Sequence, residues 1–267
     1  MPSNPSAPTH DHLARRLAGE RGREIAQRLP TGPLSWSLAI RTKVFDELIV
    51  EAVEERDVRV VVNLAAGLDA RPFRLALPPN LEWIEVDLPQ LIRWKNDALA
   101  NEVPRCAVER VPLDLANAAE RRALFARLGA TKSKVLVVSE GFLAYLDETT
   151  VGELAGELRE SFPGALWALE NVSPPVLDRM KRTWGAALGQ ANAQMKFAPP
   201  DGLAFFQRRG WVPRVQKSLL DEAERLGREM PVVRAIRFFS RFIPPLGTAY
   251  AKRQAKFRDA VAYALMG

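Results

Sequence analysis

Cysteine is nearly absent from this 267-residue chain: Cys106 is the single one, so no disulfide can form within it and a reducing, cytosolic setting is expected. Histidine is almost as scarce. His10 and His12 are the two present, both in the first dozen residues, which leaves no His/Cys/acid set for a covalent nucleophile and no defined ligand set for a metal. Long apolar runs are also missing, since nothing approaches the ~20 consecutive apolar residues that a bilayer span needs. The opening MPSNPSAPTH carries neither the basic nor the apolar region of a secretory leader, so a cytoplasmic protein without membrane attachment is expected. Charge of one sign does not dominate either. The formal +6 comes from 38 basic and 32 acidic residues, the basic ones dispersed in small groups such as Arg15/Arg16, Arg208/Arg209 and Lys252/Arg253. Such a balance helps an anion approach, but it forms no nucleic-acid module, and nucleic acid is not expected as a partner.

What the chain has is apolar material, 47% of its residues, arranged in a rhythm. Residues 1–10, rich in Pro, Ser and Asn, read as a disordered leader to a single domain over 11–267. A helix is expected from Asp11 to Arg28, ended by Pro30 and Gly32, and a second from Ser35 to Glu55 on the stripe Leu38, Phe45, Leu48, Ile49, Ala52 and Val53. Residues 11–55 would then form a helical cap. Short apolar runs follow at Val58–Leu64, Leu81–Val86, Cys106–Val111, Val135–Val138 and Ala165–Leu169, separated by helix-compatible Ala70–Leu77, Leu88–Glu102, Asn117–Leu128 and Glu148–Ser161. Continuously apolar strands alternating with helices predict βαβ units and a mainly parallel sheet covered on both faces. Further helices are expected at Pro175–Ala193, Gly202–Arg209 and Ser218–Leu226, with closing strands at Trp211–Val215 and Val232–Phe238.

The first strand empties into a small-residue turn, VVNLAAGLDARPFRLA, residues 61–76. In an open parallel sheet ligands lie beyond the carboxyl ends of the strands, and small side chains let the main chain come close to them. The turn reads AAGLDA over 65–70, with one glycine, not the G-x-G-x-x-G of a dinucleotide site, and Asp69 would repel a diphosphate. S-adenosylmethionine (AdoMet) carries a sulfonium, an ammonium and a carboxylate but no phosphate, and suits an acidic turn. Asp87, twenty residues beyond Gly67 at the end of the second strand, can accept hydrogen bonds from both ribose hydroxyls. Ribose recognition is common to AdoMet and NAD, so an NAD-dependent oxidoreductase stays open beside the AdoMet reading.

The segments IRTKVFDELI (40–49), VVNLAAGLDARPFRL (61–75), WIEVDLPQLIRWK (83–95), VPLDL (111–115) and VSEGFLAYL (138–146) resemble the leucine carboxyl methyltransferase family and its bacterial O-methyltransferase branch, which includes enzymes of polyketide carboxylates. The resemblance covers about residues 34–150 and continues faintly from Phe205/Phe206 to Trp211. It implies a class I AdoMet-dependent methyltransferase (Rossmann-like) fold with a mainly parallel seven-stranded sheet, an N-terminal helical cap and inserted helices, residues 172–210 forming the acceptor-site insertion. It implies transfer of methyl to oxygen, with S-adenosylhomocysteine as product. By motif, Arg41 resembles the arginine on the AdoMet carboxylate, Gly67 the glycine beneath the methionine portion, Asp87 the ribose acid, Asp114 and Leu115 the adenine pair, and Glu140 the acid near the cofactor amino group. Ala65 and Ala70 stand where the family often has glycine and threonine, which keeps a noncatalytic binding domain of the same fold open.

Each residue also has a plainer role. Arg41 can be a surface helix arginine, and Asp69 can cap the following helix as readily as touch cofactor. Arg71 and Arg74 can pair with neighbouring acids. Asp87 can cap a helix beginning at Pro89, with Glu85 the backup acid if the strand ends early; Asp114 can simply start a turn. Tyr145 can bound the acceptor cavity or pack in a loop. Trp83 and Trp94 read as packing residues, and Trp211 as an anchor of the C-terminal part. A carboxylate acceptor is ionised at neutral pH and needs no base, whereas a phenol, with a pKa of about 10, would. The lack of an evident base favours a carboxylate, and the resemblance to the bacterial branch implies a small molecule, while a protein C-terminus stays possible as acceptor. A monomer is expected.

Overall fold

The computed structural model describes residues 13–28, 33–190, 193–229, 233–234 and 260–267. Its centre is one seven-stranded sheet in the order β3-β2-β1-β4-β5-β7-β6. The strands are β1 (Val60–Leu64), β2 (Glu82–Asp87), β3 (Ala107–Pro112), β4 (Val135–Ser139), β5 (Leu166–Val172), β6 (Pro213–Ser218) and β7 (Val261–Met266). The first five run parallel, and β7 lies antiparallel between β5 and β6. The mainly parallel sheet expected from the apolar rhythm is therefore present. Central β1 and β4 are buried at every position, as helices on both faces require.

Alternating side chains divide the core in two. Val60, Val62 and Leu64 face α5 (Ala118–Gly129) and α6 (Glu148–Ser161) together with Phe206 and Trp211. Val61, Leu136, Val138 and Ala168 face Ile40, Val44, Phe45, Leu48, Ile49 and Ala52 of α2 (Pro33–Glu55). The expected stripe of α2 is thus a core face, with Leu38 outside it and exposed. α2 covers one face of the sheet, and its Arg41 reaches Glu140 and Glu170 at the strand ends. The preceding α1 (Ala14–Arg28), broken at Gly19, places Leu13 and Leu17 against Ala70, Phe73 and Leu99.

The remaining helices depart modestly from expectation. Ala70–Leu77 yields only one helical turn, α3 (Arg71–Arg74), and Leu88–Glu102 shortens to α4 (Pro89–Ala98). α7 (Pro174–Gln190), α8 (Ala204–Gln207) and α9 (Leu219–Arg225) occupy the expected places. Of the closing strand expected at Val232–Phe238, only residues 233–234 are described, and they are helical; the seventh strand is VAYALM, Val261–Met266. The leader 1–10, His10 and His12 lie outside the described residues. No helix among the described residues is long and apolar enough to cross a membrane.

Candidate functional site at the strand ends

The parallel strands deliver the chemistry-bearing residues to one edge in spatial order. Asp114 and Leu115 follow β3, Asp87 ends β2, Gly67 follows β1, Glu140 follows β4 and Glu170 lies near the end of β5. Beside this edge is a cavity of about 510 Å³ lined by Asp87, Asp114, Leu115, Phe142, Tyr145 and Lys196, among others, a volume that suits a small ligand. The turn after β1 is held tightly against it. Ala65 and Gly67 both have φ of 53°, and the Gly67 amide donates to Asp87 Oδ2 at 2.6 Å. Asp87 Oδ1 accepts from the Leu88 amide at 2.7 Å. Asp87 does not cap α4, whose N-cap is Leu88 without a side-chain bond; its carboxylate instead ties the glycine turn to the second strand.

Asp114 is exposed to the cavity and forms the turn expected of it, its Oδ1 accepting from the Ala116 amide at 2.9 Å. Leu115 is buried beside it, and its carbonyl accepts from Arg121 Nη1 at 2.7 Å. Arg121 is itself fixed by Glu157 at 2.6 Å. The loop therefore presents an acid and an apolar wall side by side on a braced backbone.

At the other end lies a network of arginines and carboxylates. Arg41 Nε donates to Glu140 Oε1 at 2.9 Å, and its Nη1 to Glu170 Oε1 at 3.3 Å. Arg71 donates to Asp46 at 2.7 Å and Asp69 at 2.9 Å and pairs with Glu140 Oε2 at 2.7 Å. Arg74 grips both oxygens of Asp46, at 2.6 and 2.7 Å. Burial would lower the pKa of Arg41 and Arg71, but the facing carboxylates outweigh it and hold both firmly cationic. Burial raises Asp69 as well, yet Arg71, Lys95 and the Arg71 amide bring its carboxyl below the ordinary range. Burial dominates at Glu170, whose pKa is raised despite Arg41. Three guanidiniums thus meet four carboxyl groups, those of Asp46, Asp69, Glu140 and Glu170.

Several plainer roles are realised. Asp69 takes the Arg71 amide on Oδ1 and Asn63 Nδ2 on Oδ2, so its oxygens are occupied in building the turn. Arg71 and Arg74 pair with acids. Glu85 is not a backup acid, because β2 continues to Asp87 and Glu85 is fully buried, held by Lys95 at 2.9 Å and Arg110 at 2.8 Å. Trp83 is buried, and Trp211 is anchored through Nε1 to the Ala155 carbonyl at 2.9 Å. Trp94 is half exposed, its Nε1 bonded to the Leu17 carbonyl. Sequence reasoning missed Asp46, Glu170, Arg121 and Lys196. The signal for Glu170 was an acid inside the apolar strand LWALENV, and Asp46 stood unremarked within IRTKVFDELI. Among the described residues no group of three or more His, Cys, Asp or Glu could hold a metal ion.

A family model described as leucine carboxyl methyltransferase matches residues 4–158. A Streptomyces coelicolor protein, named provisionally as an S-adenosyl-L-methionine-dependent methyltransferase, is 31% identical over 86% of this chain and 76% of its own length. A Parafrankia protein with the same provisional name is 36% identical over 51% of this chain, which spans only 44% of that relative. A crystal structure of a DUF574 family protein from Streptomyces avermitilis aligns over 92% of this chain and 88% of its own, with TM-score 0.58 and 16% identity. One from Thermobifida fusca, titled provisionally a methyltransferase, covers 80% and 85% with TM-score 0.52 and 18% identity. At such identities the likeness speaks for the fold alone, and that fold is the class I methyltransferase arrangement.

Proposed function

The chain belongs to the leucine carboxyl methyltransferase family, and from that premise we propose that it is an AdoMet-dependent O-methyltransferase acting on the carboxylate of a small molecule. The observation that carries the reading is the ordered set of residues along one strand-end edge: Asp114, Leu115 and Asp87 line the cavity, the Gly67 amide is bonded to Asp87, and Glu140, held by Arg41, follows β4 further along that edge. In this reading Asp114 accepts the adenine amino group, Leu115 packs on the base, and Asp87 takes the ribose hydroxyls. Arg41 holds the carboxylate of the amino-acid tail and Glu140 its ammonium. Asp69 serves from behind, fixing Arg71 and the turn. The acids at this edge suit AdoMet, whose sulfonium and zwitterionic tail carry a net +1, and Asp69 and Asp87 beside the turn would repel the diphosphate of NAD.

Bound AdoMet would supply an electrophilic methyl group. Its transfer to an ionised acceptor carboxylate would require no proton to move, so this chain would need to supply no base. Tyr145, whose hydroxyl is kept protonated by burial, bounds the acceptor side. The protein's contribution is then positioning and exclusion of water, with residues 172–210, which include α7 and α8, forming the acceptor wall. Calorimetric titration with AdoMet, S-adenosylhomocysteine and NAD tests the cofactor. Incubation with methyl-labelled AdoMet and a panel of carboxylic acids, read as labelled methanol released from the methyl ester by alkali, tests the reaction. Binding of NAD alone, or a folded protein that binds none of the three, would sink the proposal.

A further inference from the structure

The acceptor side of the cavity carries a feature that neither the family match nor the motifs assign. Residues Met195, Lys196 and Phe197 cross it in the pattern buried, exposed, buried. Met195 packs in an apolar cluster with Val172 and Leu177, to which Tyr145 adds, while Phe197 packs in the main core against Phe205. The backbone between them is pinned, because the amides of Lys196 and Phe197 both donate to the Ala144 carbonyl, at 2.6 and 3.1 Å. Two buried anchors and two bonds to the residue preceding Tyr145 therefore fix where Lys196 starts, and its side chain lines the cavity.

The chemistry of that lining is asymmetric. Asp87 and Asp114 belong to the β2 and β3 ends, whereas Lys196 is tied to the turn after β4, on the opposite side of β1. Lys196 is the one cationic side chain among the described residues that line the cavity. No described carboxylate lies in ion-pair contact with it. Asp147 is near enough to feel its charge, but the Asp147 carboxylate accepts from the Thr150 amide at 2.8 Å as the cap of α6. Lys196, on a fixed backbone, and Tyr145 then line the same cavity.

We propose that Lys196 is the specificity-determining residue for an anionic methyl acceptor, pairing with the acceptor carboxylate at the end of the cavity next to Tyr145. The assignment rests on the cofactor reading above. In addition to that reading, it names the group that selects for the acceptor's charge.

The test uses the full chain saturated with S-adenosylhomocysteine and a probe series of straight-chain monocarboxylates from acetate to decanoate, each beside its primary amide, titrated by ligand-observed NMR. Wild type should prefer the carboxylates about tenfold, the low end for a charge-assisted contact at an exposed group. Lys196→Met should abolish that preference and Lys196→Arg retain most of it, with S-adenosylhomocysteine affinity unchanged in both. A wild type without carboxylate preference, or a preference that survives Lys196→Met, overturns the proposal. Weaker S-adenosylhomocysteine binding in Lys196→Met overturns it too, by placing the lysine on the cofactor. Failure of wild type to bind S-adenosylhomocysteine at all is a separate result that removes the cofactor reading and this assignment with it.

Discussion

Truncating Arg41 to alanine removes a guanidinium that now holds Glu140 at 2.9 Å and Glu170 at 3.3 Å, and the two losses are separable. Without ligand, two part-buried carboxylates lose a shared cation. Breaking a fully buried pair costs about 3–5 kcal/mol, but the Arg41 side chain keeps 26% of its exposure, so a destabilisation of about 1–3 kcal/mol is expected. Glu170, already raised by burial, should protonate more readily in the variant and soften that loss. With ligand, the amino-acid tail of S-adenosylhomocysteine would place its carboxylate beside Glu140 and Glu170 with no arginine between. Loss of a charge-assisted bond is worth about 1.5–3 kcal/mol, or roughly 10- to 150-fold in affinity, and the exposed repulsion points to the upper half of that range. Arg41→Lys should recover part of it, keeping the charge without the fork that reaches two carboxylates. Urea unfolding reads the first quantity and calorimetric titration with S-adenosylhomocysteine the second. A folded Arg41→Ala variant that binds with unchanged affinity would refute the assignment, leaving Arg41 as a structural ion pair.

Asp69→Asn should lower stability at pH 7, and the gap from wild type should close on acidification. The depressed carboxyl contributes stability that is present above its unfolded value of 3.8 and lost as pH falls through the lower folded value; a gap in urea unfolding that stays constant from pH 7 to pH 3 contradicts this. Ala65 and Gly67 share a φ of 53° and make a mirrored pair. Ala65→Gly should stabilise by about 0.5–1 kcal/mol as left-handed strain is relieved, and Gly67→Ala should cost about 1–2 kcal/mol. The backbone alone accounts for the second, since an added Cβ would meet nothing nearer than 3.9 Å; equal thermal midpoints for the two variants would disprove it. Cys106, pushed up to about 11 by burial and the Glu85 charge, should react with a disulfide reagent at pH 8 at least about tenfold more slowly in the folded than in the unfolded chain.

How much of this was legible in the sequence follows from the range of each interaction. The central strands were readable because β1 and β4 are short apolar runs bounded by polar turns and buried throughout, while edge strand β3, AVERVP, mixes apolar with charged residues. Their order along the edge, and so the convergence of Asp87, Asp114 and Leu115 on one cavity, followed from the resemblance. The last strand, VAYALM, was missed because it pairs antiparallel with β5 and β6, outside the βαβ rhythm that marks the parallel strands. The surface that α2 packs against was not legible for a different reason. An amphipathic stripe reports that a helix packs, and not on what. The carboxylate partners lay furthest out of reach. Asp46 meets Arg71 and Arg74 across 25 and 28 residues, and Arg41 meets Glu170 across 129, separations over which no local spacing rule acts.

The ion network itself argues for a site over a mere scaffold. Asp46, Arg71 and Asp69 are all buried or nearly so, and buried ion pairs of this kind are often no more stabilising than apolar side chains of the same volume, because desolvation offsets the attraction. Stability alone would let such a cluster be replaced by the aliphatic packing that fills the sheet faces a few residues away. What apolar packing cannot do is hold Glu140 at a defined orientation, and here each of its oxygens is taken by a different arginine, Oε1 by Arg41 and Oε2 by Arg71. Arg71 is in turn fixed by Asp46 and Asp69, so the chain of contacts runs from the core helix α2 and the turn after β1 to a single carboxylate at the end of β4. The cost of burying those charges is the cost of presenting Glu140 in one orientation, and a residue held that firmly needs no reorganisation when a cationic group arrives. Asp46 is accordingly the most remote member whose loss should be felt at Glu140 while touching no ligand.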